Sequence, residues 1–310
     1  MPKTQNPSPP SDLRAQIWID GRYVETDEAR VSVFDRGFLH GDSVFEVLRT
    51  YDRVPFALEE RLERLKRSAR LVSIELPVSL ETLHAEVTAA LERAAYPEAY
   101  LRLMLTRGAG EHAGVAVPRG ARRVLLLAPL VTLPAEMYEL GVAVVTERSE
   151  LVGNAVAPGA KVGNYLNSIL ALAAARRADA AEALLVDRSG KIFEGSASNV
   201  FLCAKGTLVT PPEEAGILAG ITRRKVLELC SDWGVPIEQR TFTPQELRAA
   251  DEAFITASIR EIVPIVRVDG DAIGGGRPGD LTRRLLAGYR ARALAAAESE
   301  RSRAATRAVN

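Results

Sequence analysis

Lys161 has the clearest capacity for covalent chemistry of any side chain in this sequence. It stands where a loop rich in Gly and Pro gives way to an apolar helix. Arginine stays protonated and cannot form an imine, whereas a lysine can once desolvation or a neighbouring cation lowers its pKa. Basic residues here are mostly arginine, and lysine occurs only at positions 3, 66, 161, 191, 205 and 225. Lys161 is therefore a candidate Schiff-base residue, although a surface lysine at a helix start is the simpler interpretation of this segment alone.

Four further features supply groups that an aldehyde cofactor with a phosphate would require. Gly220-Ile221-Thr222 opens a predicted helix, whose N–H groups and positive dipole end suit a phosphate. Glu194 ends a predicted strand, Ser258 follows the end of another, and Arg64 supplies a cation. Each feature alone is weak evidence. Together with Lys161 they match the groups needed to hold the phosphate, the ring nitrogen and the aldehyde of one cofactor.

The composition excludes several other classes of protein. The 310 residues are 47% apolar and 26% charged, and Lys+Arg and Asp+Glu both number 40, so the net charge is zero. A neutral chain gives no electrostatic reason to expect a nucleic-acid or membrane partner. Cys203 and Cys230 lie in apolar stretches and are interpreted as buried core residues, not as a disulfide. We expect a cytoplasmic protein and assign no metal-binding residues.

The hydrophobic pattern predicts two α/β domains with mixed sheets. Strands and helices do not alternate strictly enough for a doubly wound fold. The expected division is a disordered tail at 1–14, an N-terminal domain at 15–130, a linker at 131–137, a C-terminal domain at 138–295 and a tail at 296–310.

Two predicted strands carry the candidate substrate residues. In the strand at 43–50, the period of two places Phe45, Val47 and Arg49 on one face. The strand at 100–106 places Tyr100 and Arg102 together in the same way. Around these strands the pattern predicts a hairpin turning at Asp20-Gly21, helices at 57–73, 80–95 and 220–233, strands at 183–187, 191–194, 199–203, 253–257 and 262–268, and a capping box at 243–246.

With these features the chain resembles the class IV, fold type IV, pyridoxal-phosphate-dependent aminotransferases. This family includes branched-chain and D-amino-acid aminotransferases and aminodeoxychorismate lyase. The resemblance runs from about Ile17 to Tyr289, and Arg61 departs from it because relatives often have His there. The matching motifs are Asp35-Arg36-Gly37 to Gly41-Asp42, Phe45-Glu46, Arg64-Leu65 with Ser68-Ala69, Lys161 with Asn164-Tyr165-Leu166-Asn167, Glu194-Gly195 with Asn199-Val200-Phe201, Gly220-Ile221-Thr222 and Glu261-Ile262.

The resemblance implies a role for each matching cofactor residue. Lys161 resembles the lysine that holds pyridoxal 5′-phosphate as a Schiff base and then moves a proton. Glu194 resembles the acid that pairs with the pyridine nitrogen, and Tyr165 resembles the phenol that hydrogen-bonds the ring hydroxyl. Leu218 is expected to pack against one ring face. The implied phosphate cup consists of Arg64, Ile221, Thr222 and Ser258.

The resemblance also implies substrate residues, but it leaves the substrate open. Tyr100 with Arg102 resembles the branched-chain enzymes, in which such an arginine receives the side-chain carboxylate of glutamate or 2-oxoglutarate. Val47 is closer to the D-amino-acid enzymes, which pair an Arg and a His in the loop where this chain has only His112. His112 and His40 are equally compatible with plain loop residues. The full candidate set is Phe45, Val47, Arg49, Tyr100, Arg102, Ala257, Ile259 and His40.

The first expectation is a ping-pong aminotransferase for branched-chain or other apolar L-amino acids, with 2-oxoglutarate as acceptor. The alternative is a D-amino-acid or (R)-amine transaminase, because the pocket residues are mixed. A lyase ranks lower, and a cofactor-holding protein without turnover is the remaining hypothesis. Relatives place the active site at a homodimer interface, so the resemblance implies a dimer in which loop 35–42 reaches the partner's pocket.

Overall fold

The computed structural model describes residues 15–110, 120–149 and 157–309. The tail expected at 1–14 and the candidate His112 lie outside the described residues. The chain divides into two compact units. Unit 1 contains the described residues of Met1–Leu133, Ala160–Asn164 and Arg292–Asn310, and unit 2 contains those of Pro134–Gly159 and Tyr165–Ala291.

Unit 1 contains an antiparallel sheet and three helices that precede residue 133. Its strands are β1 Gln16–Ile19, β2 Arg22–Val24, β3 Ser43–Tyr51, β4 Val54–Pro55, β5 Ala99–Thr106 and β6 Arg122–Pro129. Its helices are α1 Arg36–His40, α2 Leu58–Leu71 and α3 Leu80–Ala94. Among the described residues the strand order is β2-β1-β6-β5-β3-β4. The hairpin at Asp20-Gly21 is confirmed, with both turn residues at positive φ, as a tight hairpin turn requires.

The predicted alternation of β3 and β5 is confirmed and gives the sheet two different faces. One face packs against α2 and α3 and is almost fully buried. In α2 the core residues recur at helical spacing, because one stripe of the helix must cover this face. The core contains Val44, Leu48, Leu101, Leu103 and Leu105 from the strands, with Leu58, Leu62, Leu65 and Ala69 from α2 and Leu83 and Val87 from α3. The opposite face carries the candidate substrate residues.

The segment Ala160–Asn164 pairs with the first half of β3. Phe45 N donates to the Lys161 carbonyl at 3.0 Å, and Gly163 N donates to the Ser43 carbonyl at 2.7 Å. A Cβ added at Gly163 would lie 2.0 Å from Ser43 Oγ, so a larger residue here would force that hydroxyl to move. The expected C-terminal domain included this segment, whereas its backbone pairing to β3 attaches it to unit 1.

Unit 2 contains a mixed sheet with helices. Its strands are β7 Val142–Arg148, β8 Glu182–Val186, β9 Ile192–Gly195, β10 Asn199–Ala204, β11 Thr207–Thr210, β12 Ile237–Gln239, β13 Glu252–Ala257, β14 Glu261–Val268 and β15 Asp271–Ala272. Its helices are α4 Ala135–Glu139, α5 Leu166–Arg177, α6 Ile221–Asp232, α7 Pro244–Arg248 and the start of α8 Asp280–Val309, with a 3-10 turn at Glu213–Ala215.

Both parallel and antiparallel pairs occur in the sheet of unit 2. Its described strands follow the order β12-β11-β10-β13-β14-β7-β8-β9, and β15 pairs with β14. The pairs β11–β12, β14–β7 and β7–β8 are parallel, and the other pairs are antiparallel. The predicted capping box is confirmed at the start of α7, where Thr243 and Glu246 cap each other's backbone.

Two expected boundaries differ from the observed elements. Helix α4 begins at Ala135, inside the expected linker, and the units change over between Leu133 and Pro134. The expected tail at 296–310 is corrected, because α8 continues to Val309. Its last turns are rich in Ala, Arg and Glu, which are strong helix formers. No helix among the described residues has the length and apolar character needed to cross a bilayer.

Candidate active site

Phe45 connects two of the predicted site residues in unit 1. The Lys161 ammonium lies 4.6 Å from the centroid of its buried ring, and the Arg102 guanidinium carbon lies 3.9 Å from it. Both distances are within the range of a cation–π contact. The structure therefore brings the candidate imine-forming amine and the candidate carboxylate-binding cation against one aromatic ring.

The backbone of Lys161 is held on both sides. Its carbonyl accepts a hydrogen bond from Phe45 N at 3.0 Å, and its own N–H donates to Ser68 Oγ of α2 at 3.1 Å. Helix α2 and strand β3 are both packed into the core of unit 1. The amine is therefore carried by a fixed backbone, although the segment is irregular in sequence.

Arg64 lies in a buried charge cluster rather than on the surface. Its Nε and Nη2 each donate to a different oxygen of Glu46 at 2.7 Å, and both side chains are at most 2% exposed. Arg61 Nη1 lies 3.9 Å from the same carboxylate and donates to the Val47 carbonyl at 2.9 Å. A bidentate pair fixes the plane of a guanidinium. Glu46 therefore orients Arg64, and Arg61 links this cluster to the backbone of a candidate substrate residue.

The register of β3 and β5 places the remaining strand candidates on one face. Val47 lies opposite Arg102, and Arg49 lies opposite Tyr100. Directly opposed residues in an antiparallel pair point to the same side of the sheet. Arg49 is buried, with its guanidinium 4.3 Å from the centroid of the Tyr51 ring. The shared face predicted from the sequence is therefore present.

Loop 35–42 is held by charge as well as by backbone hydrogen bonds. Asp42 accepts from Arg36 Nε at 2.9 Å and from Arg107 Nε at 2.7 Å. Burial opposes ionisation of Asp42, but hydrogen bonds from Arg107 and Arg36 outweigh it, so the pKa of this carboxyl is lowered. His40 ends α1 with its side chain exposed.

In unit 2, Glu194 and Leu218 are in direct contact. Leu218 N donates to Glu194 Oε2 at 3.0 Å, and Asn199 Nδ2 donates to the Leu218 carbonyl at 2.9 Å. Glu194 lies near the end of β9 and is half-buried. Leu218 precedes the turn into α6. One hydrogen-bond network therefore positions both the candidate ring-nitrogen acid and the candidate ring-stacking residue.

The N-terminus of α6 presents polar groups that need a partner. Gly220 is the N-cap residue, and within the described residues no side chain caps this end. A Cβ at Gly220 would lie 1.9 Å from Asn199 Oδ1, so a larger residue here would displace the Asn199 amide. Thr222 Oγ1 and Thr256 Oγ1 are both buried and have no hydrogen-bond partner in the described part of the chain. Buried hydroxyls of this kind are rare, and here they suit an anion.

The other unit 2 candidates lie at element ends. Ala257 ends β13, and Ser258 and Ile259 form the half-buried turn that leads into β14. Ile221 is buried at the first position of α6. Tyr165 precedes α5, with its carbonyl accepting from Ile169 N at 3.0 Å. Thr256 lies at the same strand end as Ser258, but it was not among the individual residues predicted to hold the cofactor.

Comparison with known proteins finds a family and relatives that are all aminotransferases. The model of the class IV amino-transferase family matches residues 43–268. The chain is 37% identical over 271 residues to a Methanocaldococcus jannaschii protein provisionally described as a branched-chain-amino-acid aminotransferase, covering 87% of this chain and 93% of that one. It is 33% identical over 281 residues to the D-alanine aminotransferase of Bacillus licheniformis, covering 86% of this chain and 93% of that one.

A solved structure shares the fold. The T.th. branched-chain amino acid aminotransferase complexed with N-(5′-phosphopyridoxyl)-L-glutamate is 32% identical and superposes with a TM-score of 0.84. The match covers 90% of this chain and 94% of that chain. The expected mixed α/β fold of type IV is therefore confirmed.

Proposed function

The chain belongs to the class IV aminotransferase family, and from this premise we propose that pyridoxal 5′-phosphate is its cofactor. When bound, this cofactor supplies an aldehyde that condenses with amines and a ring that takes up electrons from a substrate carbon. The proposal assigns Lys161 as the catalytic lysine. It also keeps Arg64, Tyr165, Glu194, Leu218, Ile221, Thr222 and Ser258 as cofactor residues.

The residues of α6 fit a phosphate group. Thr222 Oγ1 is a buried hydroxyl with no partner among the described residues, at a helix start that no described side chain caps. A phosphate would satisfy this hydroxyl and the N–H groups of the first turn, and it would lie at the positive end of the helix dipole. This unsatisfied hydroxyl is the observation that best supports the cofactor.

Each of the other residues has a role suited to its chemistry. The Lys161 amine holds the cofactor and then moves a proton at the substrate α-carbon. The Glu194 carboxylate favours the protonated ring nitrogen, because an adjacent negative charge stabilises a cation. The hydrogen bond from Leu218 N to Glu194 Oε2 orients that carboxylate for the contact. The Tyr165 phenol donates to the ring hydroxyl in this assignment.

We propose glutamate and 2-oxoglutarate as one substrate pair, with Arg102 receiving the side-chain carboxylate. The supporting observation is that Arg102 and Lys161 contact the same ring of Phe45. An arginine fork binds a carboxylate through two parallel hydrogen bonds. The other amino donor is proposed to be a branched-chain or apolar L-amino acid, bound along the face that carries Val47. The T.th. relative, whose complex contains a phosphopyridoxyl-glutamate, supports this choice.

A D-amino acid as donor is the second candidate. It is supported by the 33% identity to a D-alanine aminotransferase and by Val47. Ile259 adds bulk at the turn after Ser258, so it is expected to restrict the size of the amino donor for both candidates. The two candidates differ in the handedness of the amine that reacts.

We further propose that the protein is a cytoplasmic homodimer. Each unit exposes apolar side chains that an isolated chain would leave in water. In unit 1 these are Val31, Val33, Phe34, Phe38 and Leu39, and in unit 2 they are Leu166, Ile169 and Leu170. Clusters of exposed apolar side chains are typical of protein interfaces. Sedimentation equilibrium should give twice the mass of the chain, and a monomer at micromolar concentration would exclude the dimer.

The function is tested by separate half-reactions of the cofactor-loaded protein. L-Leucine should bleach the visible absorbance of the bound cofactor, and 2-oxoglutarate should then restore it. D-Alanine and an (R)-amine test the second candidate, since bleaching by these alone would replace the first. If the protein takes up no cofactor, or if no amine bleaches it, the proposed function is wrong.

Arg102→Gln should affect the half-reaction with 2-oxoglutarate more than the half-reaction with leucine. It should raise the KM for 2-oxoglutarate about tenfold or more, the size expected for losing a hydrogen bond to a charged group. The reaction with leucine should change much less, because leucine has no second carboxylate. Arg122→Gln is the matched control, since Arg122 pairs with Asp20 instead of Phe45. Equal effects on both half-reactions would contradict the role of Arg102.

A further inference from the structure

Glu182 is a fully buried carboxylate in an apolar strand of unit 2. It lies in β8, between alanines and leucines, and its exposed fraction is 0%. Burying a charged group is costly unless it is paired and hydrogen-bonded. A glutamate in the sequence Ala-Glu-Ala-Leu-Leu-Val is a signal that sequence analysis could have used, because charged residues are rare at such positions.

The carboxylate of Glu182 is satisfied by groups from two different loops. Ser196 Oγ donates to Oε1, and Ser198 Oγ donates to Oε2 at 3.0 Å. Arg260 Nη2 donates to the same Oε2 at 2.5 Å. The two serines follow Glu194, and Arg260 lies in the turn after Ser258. One buried carboxylate therefore binds both loops.

Backbone contacts reinforce each loop. Ser196 N donates to the Ala183 carbonyl at 2.8 Å, next to Glu182 on β8. Arg260 Nη2 also lies 3.3 Å from the Ala197 carbonyl, which connects the turn directly to the serine loop. On its other side, the Arg260 carbonyl accepts from Tyr138 OH at 3.2 Å. The Arg260 residue is therefore held at both its side chain and its backbone.

The end of the turn is held in an unfavourable conformation. Glu261 has φ of 59°, in the left-handed region that favours glycine. Its buried carboxylate accepts from Arg290 Nε at 2.7 Å, which anchors the residue after Arg260. Such a conformation persists only where surrounding contacts impose it. The Ser258–Glu261 turn therefore depends on ionic contacts at Arg260 and Glu261.

We propose that Glu182 is a positioning residue for the cofactor: it holds Glu194 and Ser258 in the relative arrangement that one bound molecule requires. The inference rests on the proposed function, in which Glu194 meets the ring nitrogen and Ser258 meets the phosphate. Glu182 touches neither group and acts through Ser196, Ser198 and Arg260. Its substitution loosens two segments that are far apart in sequence.

Hydrogen exchange of the protein without cofactor tests the positioning itself. Glu182→Gln should raise amide exchange about tenfold in both 195–199 and 257–261, the size expected for losing one hydrogen bond to a charged group. Two milder variants test the two segments separately. Ser198→Ala should act on the first segment only, and Arg260→Gln mainly on the second. Unchanged exchange in either segment of Glu182→Gln overturns the proposal.

Glu252→Gln is the matched control, because Glu252 is also a hydrogen-bonded carboxylate of this sheet. It accepts from Thr282 N at 2.8 Å and Thr282 Oγ1 at 2.7 Å at the start of α8. It should lower stability without raising exchange in 195–199 or 257–261. If it raises exchange there as much as Glu182→Gln does, Glu182 has only a general structural role and the proposal is wrong.

Cofactor affinity is the second readout. The dissociation constant for pyridoxal 5′-phosphate should rise about tenfold in Glu182→Gln and Arg260→Gln. Their effects should be non-additive in the double variant, because both act through one contact. Additive effects, or affinities within twofold of the parent, overturn the proposal. If the parent itself binds no cofactor, the proposed function fails, and hydrogen exchange still decides whether Glu182 holds both loops.

Discussion

Replacing Glu46 by glutamine tests whether the buried charge cluster stabilises unit 1. Glu46 is 1% exposed and accepts two hydrogen bonds of 2.7 Å from Arg64, with Arg61 Nη1 at 3.9 Å. The substitution keeps the shape of the side chain and removes the negative charge that faces two buried guanidinium groups. Unit 1 should therefore become less stable.

The expected loss follows from the distances and the burial. At about 4 Å and an effective dielectric constant of about 20, one ion pair contributes about 4 kcal/mol. Breaking a buried pair from one side costs about 3–5 kcal/mol. Because all three side chains are at most 2% exposed, water screens the charges little. We expect Glu46→Gln to lower the free energy of unfolding of unit 1 by about 3–5 kcal/mol.

Tryptophan fluorescence can report on unit 1 alone. The two tryptophans are Trp18 in β1 and Trp233 at the end of α6, so Trp233→Phe leaves a single probe in unit 1. Urea unfolding at pH 7 in this background gives the free energy from the midpoint and slope. Glu63→Gln is the control, because Glu63 is exposed on the same helix as Arg64 and should change stability by less than about 0.5 kcal/mol.

Two results would refute this reasoning. A loss below about 1 kcal/mol in Glu46→Gln would mean that the cluster contributes no more than a surface pair. Removing one cation as well, in Glu46→Gln/Arg64→Gln, should recover a large part of the lost stability. If the double variant is as unstable as the sum of the single variants, the loss does not come from charge.

Three further predictions concern the rest of the chain. Burial raises the pKa of the Cys230 thiol to about 11 and that of Cys203 in the same direction, so neither should react with a thiol reagent at pH 8 before unfolding; rapid labelling would contradict this. The pKa of Asp42 is lowered from its ordinary value of 3.8, so ionised Asp42 stabilises the fold above that pH, and this stability is lost as the pH falls through the lower folded pKa. In acid titrations Asp42→Asn should therefore lose this part of the pH dependence of stability. An unchanged pH profile would contradict the role of Asp42. Thr243→Ala should cost about 1 kcal/mol in urea unfolding by removing the cap of α7, and no loss would show that the cap is dispensable.

The regular parts of the fold could be predicted because local patterns determine them. The alternation of residues in 43–50 and 100–106 correctly predicted which side chains share a face of the sheet. One of the two faces had to be apolar, because it covers the leucines of α2 and α3. The short strands β4, β11, β12 and β15 were not predicted, because runs of two to four residues rarely establish a period of their own. The continuation of α8 was missed because a mixture of Ala, Arg and Ser lacks an apolar stripe.

The candidate site was predicted only in part, because much of it depends on tertiary contacts. Sequence motifs identified Lys161, Glu194 and Thr222 as residue types suited to a cofactor. They did not show that Phe45 contacts both Lys161 and Arg102, since these three residues come from separate segments. The pairing of the Lys161 segment with β3 is likewise a long-range contact that no local pattern encodes.

Borohydride reduction followed by peptide mapping tests the central assignment most directly. The protein is incubated with pyridoxal 5′-phosphate, reduced, digested and analysed by mass spectrometry, with Lys161→Arg treated in parallel. The proposed function predicts a phosphopyridoxyl mass on the peptide that contains Lys161, and none on the matching peptide of the variant. A label on the peptide of another lysine, or no label at all, would contradict the assignment of Lys161.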